Sequence, residues 1–148
     1  MRSAAGSAHV PGVPIHTLLL DADGVIQRPA AHWDATWRAL LPESRRTDRD
    51  LRAFFTDIWK AEQPTLAGAC DISEALTGVL EKWGCSASAK QCLDAWTLID
   101  VQHDVLRVID ELRGAGLAVH LATNQQAHRA AFMSETLGYR RRFEREYY

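Results

Sequence analysis

Cysteine is scarce: Cys70, Cys85 and Cys92 are the three in 148 residues. An odd count with no CxxC pair supports neither a disulfide framework nor a thiolate zinc site. All three fall in helical-looking sequence, where they read as reduced, buried thiols of a cytoplasmic protein. Charge of one sign is lacking too, since 17 basic residues face 19 acidic ones for a net charge of −2. That balance gives no broad field for nucleic acid or an anionic membrane, so an anionic ligand must be held by a local site. Long apolar runs are missing. Residues 1–14, containing SAAGSAHVPGVP, are small and turn-rich; they read as a flexible leader with neither an export signal nor a membrane span. His16, His32, His103, His120 and His128 show no metal-ligand spacing, and no internal repeat or low-complexity tract is present.

What remains is enough for one globular domain, with 47% hydrophobic residues. At Ile15 the character changes to IHTLLLDADGV, an apolar run ending in two acids and a glycine. It predicts a parallel strand buried on both faces and leading into a loop. From 30 to 99 no second strand of comparable quality follows, and the stretch reads as helical. Trp33, Trp37, Leu40 and Leu41 precede Pro42, and Leu51, Phe54, Phe55, Ile58 and Trp59 follow a Thr47 N-cap. Asp71 with Glu74 resembles a capping box before Leu76, Val79, Leu80 and Trp83, with Gly84 as the stop. A fourth helix runs through Cys92, Leu93 and Trp96. The five tryptophans fall in these stripes and read as bundle core. The pattern then reverts to a helix around Val105–Leu112, the strand LAVHLA, and a helix from about Gln126 to Leu137 ending at Gly138. Gln125 and Gln126 read as cap partners for that helix. The run Arg140–Arg142 is flanked by Glu144 and Glu146, as on a solvated mixed-charge face.

The expected fold class is therefore α/β, a Rossmann-like parallel sheet interrupted by an inserted four-helix bundle. Residues 15–29 and 100–148 form the core and 30–99 the insert. In open α/β sheets, reacting groups gather at the carboxyl ends of the strands. Here those ends carry Asp21-Ala22-Asp23-Gly24 and Thr123-Asn124. A turn at Gly24 would let both carboxylates face one pocket. Phosphoryl transfer needs a nucleophile, a proton donor for the leaving group, a metal to offset charge, and donors for the equatorial oxygens. Asp21 suits the first role and Asp23 the second. Thr123, the Gly24 turn and, less directly, Asn124 suit the phosphate, with Mg²⁺ on Asp21 and the Asp23 carbonyl.

LLLDADGV resembles the first motif of the haloacid-dehalogenase superfamily and VHLATNQ its second. The helical insert between them resembles the cap of the subfamily that places it after the first motif. The resemblance spans about Thr17 to Tyr148. It implies that Asp21 is the nucleophile, Asp23 the acid/base and carbonyl ligand of Mg²⁺, and Thr123 the phosphate-binding hydroxyl. Dehalogenases of the superfamily lack the second aspartate, so Asp23 favours a phosphatase of a small phosphorylated metabolite. The resemblance also calls for a lysine and acidic residues beyond the third strand, which the 148 residues do not contain; Lys60, Lys82 and Lys90 all fall in the insert. The expectation is of a C-terminally truncated chain, either an enzyme by ancestry or an inactive remnant serving as an interaction module. With few core helices, a sheet edge should be exposed and promote self-association.

Overall fold

The computed structural model describes residues 15–148, and the leader expected at 1–14 lies outside them. Strand β1 (Thr17–Leu20) carries LLL to the Asp21 turn, and a short β2 (Gln27–Pro29) follows. Four helices come next: α1 (Trp33–Leu40), α2 (Asp48–Leu66), α3 (Ile72–Trp83) and α4 (Ala89–Trp96). Strand β3 (Ile99–Val101) returns the chain by pairing antiparallel with β2, Gln27 opposite Val101. The four helices thus leave and rejoin the core through one two-stranded ribbon. Beyond it lie α5 (His103–Gly114), β4 (Ala118–Ala122), α6 (Ala127–Ala131) continuing into a π-type turn over Phe132–Thr136, and β5 (Glu146–Tyr147).

The main sheet has the order β1-β4-β5 and is parallel throughout. Leu20 lies opposite Leu121, so the next residues, Asp21 and Ala122, leave the sheet side by side. Thr123 follows at once, its N–H donating to the Tyr147 carbonyl at 3.0 Å. That register positions the site.

Local chemistry sets the helix limits. Thr47 accepts the Asp50 N–H at 3.1 Å, and Asp71 accepts those of Ser73 and Glu74 at 2.7 and 3.4 Å. Gly84 ends α3 at φ 67°, where a side chain would be strained. Two cores result. In the bundle Trp37, Phe54, Ile58, Leu76 and Cys92 are fully buried. Under the sheet Ile26, Leu106, Ile109, Val119, Leu121, Met133 and Tyr139 are buried. Each large apolar side chain removed from water in this way contributes about 1.5–3 kcal/mol before entropy is counted.

Three expectations change. β1 is not covered on both faces: Leu19 is 66% exposed, and only Leu18 and Leu20 pack on the sheet core. Among the described residues the strand has β4 on one side alone, an edge where the apolar run suggested an interior; β4, between two neighbours, buries Val119 and Leu121 fully. Trp59 is 56% exposed and does not belong to the bundle core. It follows buried Ile58 on α2, about 100° further round the helix. Cys70 is also exposed, in the turn after α2, while Cys92 is buried and Cys85 partly so. Among the described residues no helix is long and apolar enough to cross a membrane.

Candidate active site

At the end of β1 the chain turns tightly around buried Ala22. The Ala22 carbonyl accepts the N–H groups of Val25, Ile26 and Gln27 at 3.2, 3.0 and 3.1 Å, and Gly24 N–H donates to the Gln27 carbonyl at 2.8 Å. Gly24 sits at φ 77°, which explains the glycine. The same bonds commit the amides of Gly24, Val25, Ile26 and Gln27 within the turn. Gly24 therefore shapes the loop here, and its N–H is not free for a phosphate as the sequence led us to expect.

The exposed Asp21 carboxylate accepts only the N–H of adjacent Ala22, at 2.7 Å, among the described residues. It shares an open cleft of about 360 Å³ with Thr123 and Asn124, closed on another side by Tyr147 and Tyr148. Three of the expected site residues thus come together at adjacent strand ends.

Asp23 points elsewhere, into a second cleft between bundle and sheet that shares Asn124 with the first. Its carboxylate is gripped by Arg129, Nη1 to Oδ2 at 2.7 Å and Nη2 to Oδ1 at 2.8 Å. Gln27 and Gln125 donate their Nε2 groups to the same carboxylate at 2.9 and 2.8 Å. Arg129 is itself held by the Trp96 carbonyl at 3.2 Å and by Gln125 Oε1. Fully buried Gln27 accepts the Tyr139 hydroxyl at 3.1 Å, which ties the grip to the sheet core. Burial pushes the Asp23 carboxyl up, but the hydrogen bonds and charge of Arg129, aided by Gln27 and Gln125, outweigh it and hold the group below the usual aspartate value. Burial, with Asp23 nearby, pushes the Tyr139 hydroxyl up to about 12, so it remains a donor.

The sequence pattern singles out neither Arg129 nor Gln27, and it suggests only a capping role for Gln125. Gln126 does cap α6, accepting the N–H groups of His128 and Arg129 at 2.7 and 3.2 Å. Gln125 instead spans Asp23 and Thr123, the latter at 3.1 Å. One signal was available: a cation in the first turn of a helix opposes the helix dipole, so Arg129 needed a carboxylate elsewhere.

A hard cation would find one acidic side chain in this cleft, the exposed Asp21 carboxylate. No cluster of three or more His, Cys, Asp or Glu residues that could hold a metal occurs among the described residues. A lone carboxylate suits Mg²⁺, which keeps several waters and is completed by substrate phosphate, and does not make a dedicated protein cage. Lys82 and Lys90 are occupied by Asp57 and Asp94 on the bundle surface, at 2.9 and 2.7 Å. Among the described residues Arg129 is the cation bonded to Asp23.

No protein-family model and no curated protein matches the chain. Solved structures do. A HAD-family enzyme from Bacteroides thetaiotaomicron, crystallised with magnesium and inorganic phosphate, superposes with a TM-score of 0.68 at 19% identity, over 90% of this chain and 68% of that one. An L-2-haloacid dehalogenase from Xanthobacter autotrophicus does so with a TM-score of 0.59 at 19% identity, over 90% of this chain and 56% of the dehalogenase. The chain has the haloacid-dehalogenase-like fold, an α/β core with an inserted helical cap, of a type shared by phosphate-binding and dehalogenating enzymes.

Proposed function

We propose that this haloacid-dehalogenase-like chain is a phosphohydrolase of small phosphorylated metabolites, working in the cytoplasm through an aspartyl-phosphate on Asp21. One observation carries the reading: Asp21, Thr123 and Asn124 line one cleft at the carboxyl ends of two paired parallel strands. An Asp21 oxygen forms the new bond to phosphorus as the ester P–O bond breaks, and Asp23 gives its proton to the departing alkoxide. Water then attacks the aspartyl-phosphate, Asp23 takes a proton from it, and phosphate leaves with Asp21 restored. Thr123 Oγ1 and the Asn124 amide supply hydrogen bonds to the phosphoryl oxygens. Asp21 and the Asp23 carbonyl would hold Mg²⁺, which when bound offsets the phosphoryl charge. Asp23 begins ionised in the grip of Arg129. To protonate the alkoxide it must first take up a proton from solvent as Arg129 lets go, and phosphoryl oxygens are the natural competitor for that guanidinium.

A second reading is an inactive relative serving as an interaction module. It is favoured by that same grip and by the lack of a lysine bonded to the site among the described residues. Phosphate release from a panel of small esters with Mg²⁺ separates the two. The expected result is turnover lost in Asp21→Asn and on adding EDTA, with both proteins folded by circular dichroism. Folded protein that releases no phosphate would support the inactive reading.

A further inference from the structure

The cleft beyond Asp23, about 260 Å³, is walled by Trp33, Trp59 and Trp96 and contains Glu62. Because it meets the Asp21 cleft at Asn124, a group esterified to a phosphate at Thr123 would extend into it; this step rests on the phosphohydrolase reading. The indoles are held in place. Trp33 stacks on Phe55 at 4.8 Å and 8°, Trp59 stacks on the same ring at 6.0 Å and 25°, and Trp96 meets Trp37 edge-on at 5.5 Å. Glu62 on α2 is partly buried, and among the described residues its side chain makes no hydrogen bond or ion pair. Burial raises its pKa, and the neighbouring Arg129 only partly offsets this. Arg129 is unavailable to it, spent on Asp23, Gln125 and the Trp96 carbonyl. The cleft therefore holds two carboxylates to one guanidinium, within a lining that includes three indoles.

We propose that this cleft binds an organic ammonium group, with Glu62 as its counter-ion and the tryptophans as its π wall, so that the substrate class is phosphate monoesters of amino alcohols. A neutral ligand would leave the Glu62 carboxylate desolvated and uncompensated, and an anionic one would add to the repulsion. A cation relieves both, and indole is the best of the aromatic partners for it.

Tryptophan fluorescence titration and calorimetry with choline, against its neutral isostere 3,3-dimethylbutan-1-ol, test this directly. Choline is expected to bind at least about tenfold more tightly than the isostere, within the range of a desolvated cation–π site. Glu62→Gln should abolish that difference, Trp59→Ala should weaken choline, and Asp21→Asn should leave choline binding intact. Equal affinity for choline and the isostere, preference for a small carboxylate, or an unchanged difference in Glu62→Gln would each overturn the proposal. The outcomes are separable from the activity question. Charge-selective binding without ester hydrolysis would keep the ammonium site and remove the phosphohydrolase reading. Hydrolysis of glycerol phosphate as fast as phosphocholine, insensitive to Glu62→Gln, would do the reverse.

Discussion

At the scale of single residues, Asp23 stands between burial, which favours its neutral form, and Arg129, which favours the ion. Arg129 prevails, and the sign of the consequence follows. With the folded value below that of the unfolded chain, the pair adds stability above about pH 4 and loses it as the pH falls through the lowered value. Arg129→Met should therefore raise the Asp23 pKa in a carboxyl NMR titration. Its cost at neutral pH should be about 0.5–1 kcal/mol, kept small because the Asp23 carboxylate is 45% exposed. An unmoved pKa would mean that Gln27 and Gln125 do the holding. That Asp21, Thr123 and Asn124 meet was legible in the sequence because they stand at the ends of two apolar runs, and strand ends in such sheets converge. Arg129 was not, because its contact with Asp23 spans 106 residues of chain and no local pattern encodes it.

At the scale of elements, caps and stops were the most readable features. Thr47, Asp71 and Gly84 act where the sequence placed them, since each works on its own backbone neighbours. Ser88 was overlooked, although with Gln91 it forms a full capping box on α4. Ser88→Ala should cost about 1 kcal/mol, seen as a fall of several degrees in melting temperature. α2 and α3 are further tied by Asp57, which accepts from Lys82 Nζ and Trp83 Nε1, both at 2.9 Å. The Lys82 bond foremost, then Trp83, lowers the Asp57 pKa despite burial. Its contribution is thus present above about pH 4 and fades below it. Thermal melts of Asp57→Asn should fall below those of the parent at pH 7 and converge with them near pH 3. A constant gap would show that shape, not charge, matters there. The strands β2 and β3 were illegible for a different reason: three residues each are too short to show alternation. Trp59 was misplaced because a stripe on a long helix gives a direction to within a residue, and one residue turned it from core to cleft.

At the scale of the whole molecule, the bundle and the sheet bury separate clusters, and the sheet is the less completely covered of the two. Among the described residues β1 has one unpaired edge and an open face, with Leu19 66% and Ile15 71% exposed. Unpaired backbone groups beside exposed leucine form a template for another strand, and none of the usual protections, a proline, a bulge or an inward charge, interrupts Thr17–Leu20. We therefore expect the chain to associate through β1 as its concentration rises, with a mass that climbs in sedimentation or light-scattering measurements. Leu19→Lys should shift it toward monomer without lowering its melting temperature, because the replaced side chain already faces water. The site should be little affected, since Asp21 takes its position from the register with β4, on the opposite edge of the strand. A parent chain that stays monomeric at every concentration and melts in one sharp, reversible transition would show that the two cores suffice by themselves and that the open edge carries no cost.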